Sequence, residues 1–346
     1  MTTLPELPFD YDRFLDRTTI LYGESMTGKS TVIIDILKLL SPHVDQIIVI
    51  SPTDRQNHTY DKGVVPLPMI HYGITGQLLD KIWERQSALA SVYTKANKPE
   101  IFKQLFDRIR GNNHSRDTIE EAADIRDERI RDVKRGEENK ILARSKIDDI
   151  DKSFQKFLSL VYKTDILEYR DELSRMNLSE DEKFSLNYVD FNPRIVIIFD
   201  DCTDQLKKFR SHPVMQKLFF QGRWNFVTTL IAAHTDKALD PEVKKNSFTN
   251  IFTGPKAAQS YFARPSNDFD KNEKVRAVDA MRQAFTPTHR HQKLILSRAE
   301  DTFYRYTATL HGQFRFGSRE FWRFCDEIKS DGNQMAPGNK FIQDFM

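Results

Sequence analysis

The chain has 346 residues, 39% apolar and 11% aromatic, enough for one large α/β domain with an insertion or for two modest domains. Its 52 basic and 50 acidic residues leave a formal net charge of +2, which excludes a simple basic coat for nucleic acid and allows local basic surfaces such as the lining of a ring. Cys202 and Cys325 are too few for a disulfide framework; with no signal core in residues 1–16 and no apolar run near ~18 residues, a soluble protein of a reducing, intracellular compartment is expected.

Between residues 18 and 73 short β-rich runs alternate with one helix. The pattern predicts a strand over 19–22, a helix over 29–40 and a second strand over 46–50. Ser41-Pro42 breaks the helix, and Ser51-Pro52-Thr53 ends the strand. Both strands are largely apolar, as the centre of a parallel sheet covered on both faces requires. From 76 to 187 glycine nearly vanishes and charge rises. Ile147, Ile150, Phe154, Phe157 and Val161 step by three and four, the seam of an amphipathic helix. This stretch reads as a helical insertion, with an antiparallel hairpin turning near Gly111-Asn112-Asn113. The α/β texture then returns. Strands are predicted over 194–199, 226–233, 249–253, 293–297 and 304–308, with a helix over 214–222. The expected organisation is one doubly wound core in two pieces, 1–75 and 188–312, with the insertion 76–187 between them and a helical tail over 313–346.

Gly23-Glu24-Ser25-Met26-Thr27-Gly28-Lys29-Ser30, followed by Thr31, fits the pattern G-x-x-x-x-G-K-[ST], the Walker A phosphate loop. Backbone N–H groups must converge on a phosphate, so glycine is needed where a side chain would block its approach. Lys29 would reach the β- and γ-oxygens of ATP, and the Ser30 hydroxyl would ligate Mg2+. Met26 stands where many such loops carry a third glycine. The run 194–201 reads as a Walker B strand: five apolar residues carry Asp200 and Asp201 to the carboxyl edge of the sheet, where ligands bind in open α/β folds. Asp200 would hold Mg2+, and Asp201 would activate the attacking water. The strand over 226–233 ends at His234, which serves either as a γ-phosphate sensor or merely as a strand terminus. Arg223, after Gly222, is either a surface residue or an arginine finger for a neighbouring subunit.

These residues, in this order, resemble the poxvirus-type genome-packaging ATPases of the nucleocytoplasmic large DNA viruses, a branch of the FtsK/HerA superfamily. The resemblance covers about 18–55 and 194–308. It rests on the phosphate loop, the turn Ser51-Pro52-Thr53, the tandem Asp200-Asp201, Gly222-Arg223 before an apolar strand, and Asn250-Ile251-Phe252. It implies an α/β P-loop NTPase core of RecA/FtsK type, with nucleotide contacts at Gly23, Gly28, Lys29 and Ser30. It implies magnesium binding and water activation at Asp200 and Asp201, and a trans-acting Arg223. It further implies a homo-oligomeric ring of five or six copies that hydrolyses ATP to drive double-stranded DNA into a preformed capsid. Capsid or inner-membrane virion proteins would be partners of the insertion, and the location would be the host cytoplasm at assembly sites or the virion. Two departures stand out: His234 replaces the family's usual glutamine, and the insertion is longer than in the poxviral protein.

Candidate DNA contacts are Lys244, Lys245, Arg282, His289, Arg290 and Lys293, and the basic-aromatic stretch with Arg315, Arg319 and Arg323. Two other readings compete. A P-loop kinase needs an acceptor site and has no use for Asp201. A nucleotide-dependent scaffold would tolerate Asp201→Asn.

Overall fold

The structure, a computed structural model of the chain, describes residues 3–330 apart from 138, 287–290 and 313. It divides into two compact units, one made of 1–90 and 193–346, the other of 91–192. The insertion expected over 76–187 therefore overlaps a unit with somewhat different bounds. The reason lies in the helix Gly76–Ala96, whose first half buries Leu78, Leu79, Ile82 and Trp83 in the core of the first unit.

The first unit is built on an eight-stranded sheet. Its strands are β1 (Thr18–Tyr22), β2 (Gln46–Ile50), β3 (Ile70–His71), β4 (Ile195–Asp200), β5 (Val227–Ala233), β6 (Thr249–Phe252), β7 (Gln292–Ser297) and β8 (Thr302–Thr307). The spatial order is β3-β2-β4-β5-β1-β6-β7-β8. The strands from β3 through β6 run parallel, and β7 and β8 are antiparallel. Every residue of β1, β4, β5 and β6 is buried, which explains their mainly apolar or β-branched character, with Asp200 and Asn250 the exceptions. α1 (Lys29–Leu40) follows β1 and buries Val32, Ile33, Ile36, Leu37 and Leu40 at the three-and-four spacing of one helix face. This is the α/β P-loop fold expected from the sequence, and β5 lies between β1 and β4. The two-residue β3 was not foreseen, because so short a strand leaves no periodic signal.

The connections supply helices: the short α2 (Asp54–Asn57) after β2, then the 21-residue α3 (Gly76–Ala96), and later the short α9 (Thr203–Phe209) and α10 (Pro213–Gln221) between β4 and β5. Beyond β5 come α11 (Pro241–Lys245), α12 (Pro255–Ala263), α13 (Lys271–Ala284) and, past β8, α14 (Arg319–Ser330). Of the expected tail 313–346, residues 331–346 lie outside the described residues.

The second unit contains α4 (Pro99–Arg108), α5 (Asn113–Gly136), α6 (Lys140–Glu168), α7 (Arg170–Ser174) and α8 (Glu180–Asn187). It has its own core, in which Phe102, Leu105 and Ile109 meet Ile166, Leu173 and Leu186. The hairpin turn expected near Gly111-Asn112-Asn113 lies elsewhere: α5, ending at Gly136, and α6, beginning at Lys140, form the hairpin. Asn139 caps α6 by accepting hydrogen bonds from the amides of Ile141 and Leu142, at 3.0 and 3.3 Å. At the expected position Asn112 is buried and donates to the Phe106 carbonyl, 2.7 Å, which joins α4 to α5.

Candidate functional site

The parallel strands deliver their following residues to one edge of the sheet. Tyr22 pairs with Ala233 and with Phe252, and Asp200 pairs with Ala232. Gly23, Asp201, His234 and Thr253 therefore emerge side by side at the carboxyl ends of β1, β4, β5 and β6, where open α/β sheets bind ligands. The residues expected from the Walker A and Walker B segments converge there.

The loop between β1 and α1 has the geometry of an anion cradle. A Cβ at Gly23 would stand 1.8 Å from Thr253 Oγ1, so no side chain fits. Gly28 caps α1 with a left-handed backbone (φ 88°) and provides no side-chain cap, leaving the first-turn amides directed outward. That first turn contains no acidic residue, so the positive end of the helix dipole is uncompensated by its own sequence. Met26 takes the left-handed conformation a glycine would adopt (φ 63°) and is fully exposed. Its conformation costs about 1–2 kcal/mol. Glu24 and Ser25 are exposed, while Ser30 and Thr31 lie half-buried in the first turn of α1.

Lys29 is buried, and its ammonium donates to the carbonyls of Gly23, 2.9 Å, and Glu24, 3.0 Å. Burial lowers its pKa, while Asp201 and Asp200 oppose that shift. Asp200 is buried at the end of β4, and burial, with the adjacent Asp201 second, pushes its carboxyl up to about 6. The Tyr60 hydroxyl donates to Asp200 Oδ2 at 2.8 Å. Burial and then the Asp200 charge raise the Tyr60 phenol well above its ordinary value, so it remains a donor at neutral pH. Asp54 builds the turn that delivers Tyr60: one carboxylate oxygen accepts from the amides of Thr59, 2.9 Å, and Tyr60, 3.0 Å.

Asp201 is held from both sides. Thr53 Oγ1 donates to its Oδ2 at 2.9 Å, and His234 Nε2 lies 2.9 Å from its Oδ1. Asp201 itself sits in a left-handed conformation (φ 51°), which turns its carboxylate off the strand line. A residue oriented by two donors is fixed for interaction with a polar reactant. Tyr60 belongs to no motif that would mark it in the sequence, and Thr53 stands out there only as part of a turn.

Arg223 is not brought to this edge. It lies in the short 3-10 turn Gly222–Asn225 that precedes β5, at the opposite end of a strand spanning roughly 23 Å at 3.3 Å per residue. It is exposed, with its guanidinium 5.9 Å from the Phe248 ring centroid. Two expected DNA contacts are corrected by burial. Lys244 is enclosed, bonded to Asn267 Oδ1 at 2.7 Å and paired with Asp236 at 3.7 Å. Lys293 is buried and donates to the Thr27 carbonyl at 2.8 Å, behind the phosphate loop. Lys245, Arg282, Arg315, Arg319 and Arg323 are exposed. His289 and Arg290 lie outside the described residues.

The donor set fits a nucleotide with its magnesium. Among the described residues no cluster of three or more His, Cys, Asp or Glu side chains forms a metal cage. Magnesium in nucleotide sites needs only one or two protein oxygens beside the phosphates, a requirement that Ser30 and Asp200 meet.

No family model matches the chain. It is 30% identical over 360 residues to the uncharacterized B354L protein of a Kenyan pig isolate of African swine fever virus, across 99% of this chain and 96% of that protein. The same identity and coverage hold for the B354L protein of a Malawian tick isolate. Among solved structures it is similar to the genome-packaging NTPase B204 of Sulfolobus turreted icosahedral virus 2 in complex with ATP-gammaS, at 12% identity and TM-score 0.38, over 88% of this chain and 100% of that one. VirB4 of Thermoanaerobacter pseudethanolicus matches at 13% identity and TM-score 0.37, over 85% of this chain and 89% of that one.

Proposed function

The chain belongs to the B354L family of African swine fever virus, and we propose that it is a P-loop ATPase motor that moves double-stranded DNA as an oligomer, packaging a viral genome. The observation that carries the nucleotide part is the meeting, at one sheet edge, of a glycine cradle, Lys29 and two acids of unlike environment. Asp200 is buried and bonded to Tyr60, whereas Asp201 is clasped between Thr53 and His234.

In this reading the loop amides of 23–31 grip the phosphates, and Lys29 leaves the Gly23 and Glu24 carbonyls for the β- and γ-oxygens. Magnesium, when bound, neutralises charge on the phosphate oxygens, and Ser30 and Asp200 are the residues that would hold it. Asp201 orients and deprotonates the attacking water. His234, bonded to Asp201 at the tip of β5, sits where loss of the γ-phosphate would be felt first. Asp201 and its two donors favour hydrolysis over transfer to an acceptor. Arg223, exposed and remote from its own loop, suits action on a neighbour's nucleotide. DNA movement and packaging rest on the family resemblance. A strand-displacement assay tests the motor directly: a third strand annealed to duplex DNA should be stripped only with ATP and magnesium. Hydrolysis without displacement would reduce the protein to a nucleotide-dependent scaffold.

A further inference from the structure

β7 runs antiparallel to β6, and its Leu294 pairs with Phe252, so the start of β7 lies level with the end of β6 beside the phosphate loop. From that position Lys293 reaches the loop from behind. Its Nζ donates to the Thr27 carbonyl at 2.8 Å and lies 3.3 Å from where a Cβ on Gly28 would stand. The side chain is buried, burial depresses its pKa, and among the described residues no carboxylate pairs with it. A buried cation without a counter-ion is costly, so its placement against this loop calls for a role.

The peptide geometry supplies one. Among the described residues there are no cis peptide bonds. In a trans peptide the carbonyl oxygen of one residue and the N–H of the next point in opposite directions. A donor that holds the Thr27 carbonyl on the rear side therefore turns the Gly28 N–H toward the front, where a phosphate is gripped. A second brace acts on the same residue, because the hydroxyls of Thr27 and Thr253 meet at 2.5 Å at the end of β6.

We propose that Lys293 is a positioning residue for nucleotide binding, clamping the Thr27–Gly28 peptide in its phosphate-gripping orientation and adding a second positive charge behind Lys29. The proposal rests on the reading of this loop as the nucleotide site. The experiment is a titration of full-length wild type, Lys293→Met and Lys293→Arg with a fluorescent ATP analogue and magnesium, with ATP turnover and thermal melting measured in parallel. Lys293→Met removes a buried charge at nearly constant volume, so the nucleotide-free melting temperature should hold or rise. Its affinity should fall at least tenfold, with KM raised by a similar factor and kcat within about threefold of wild type. Lys293→Arg, which keeps a cation and its donors, should recover most of the affinity. Wild-type affinity in Lys293→Met would overturn the clamp and leave the nucleotide site standing. A loss in both variants accompanied by a lower melting temperature would also overturn it, as the mark of a merely structural residue. Failure of the wild type itself to bind would overturn the nucleotide reading and the clamp with it.

Discussion

Asp200 shows how a site residue works against the stability of its own fold. Burial, with the adjacent Asp201 second, pushes its carboxyl up to about 6 from an ordinary 3.8, so ionising it costs the native state up to about 3 kcal/mol. That cost is fully present above pH 6 and disappears as pH falls below the unfolded value. Asp200→Asn keeps an acceptor for Tyr60 and should therefore melt higher than wild type at pH 7.5 without nucleotide and magnesium. The gain should shrink toward zero near pH 4. A lower melting temperature at pH 7.5 would mean that the carboxylate is stabilised by groups not identified around it. Gly23 makes the opposite point: an added methyl would collide with Thr253 Oγ1. Gly23→Ala should cost about 1–3 kcal/mol, with part of it restored by Thr253→Ala, as followed by chemical denaturation. The loop glycines, Lys29 and the tandem acids are contiguous in sequence and were therefore legible. Tyr60, Thr53 and Lys293 come to the site from separate segments, brought together by sheet register and turns that no local pattern encodes.

The α5–α6 hairpin shows the same division at the scale of elements. Its seam residues Ile147, Ile150, Phe154, Phe157 and Val161 fall on one face of α6, as their spacing predicts, yet all are only half-buried. Spacing reports a face and says nothing of how well that face is covered. The turn was misplaced because Gly111-Asn112-Asn113 joins α4 to α5, while the hairpin's own signals are Gly136 at the end of α5 and the cap at Asn139. Phe154 packs under the Arg126 guanidinium, 5.1 Å from the ring centroid, while Arg126 Nε pairs with Asp151 at 3.0 Å. Phe154→Ala should accordingly cost about 1–2 kcal/mol rather than the 3–5 of a fully buried ring, and should leave basal ATP hydrolysis unchanged. Loss of hydrolysis in this variant would tie the hairpin to the chemistry. The boundaries of β2 and α1 were clearer, since both end at proline-containing turns that interrupt strongly patterned runs.

At the scale of the whole molecule, the distance between Arg223 and the phosphate loop of its own chain makes the oligomeric state the property to test. If Arg223 acts in trans, Arg223→Ala subunits mixed into wild type should reduce hydrolysis more steeply than their share of the mixture. A linear decline would show that each subunit works with its own residues alone. A motor on DNA should respond to its track, so the decisive measurement is steady-state ATP hydrolysis with and without long double-stranded DNA, with Lys29→Ala and Asp201→Asn alongside. DNA should stimulate the wild type, and both variants should lose turnover. Hydrolysis indifferent to DNA, or surviving in both variants, would rule out a motor driven from this site.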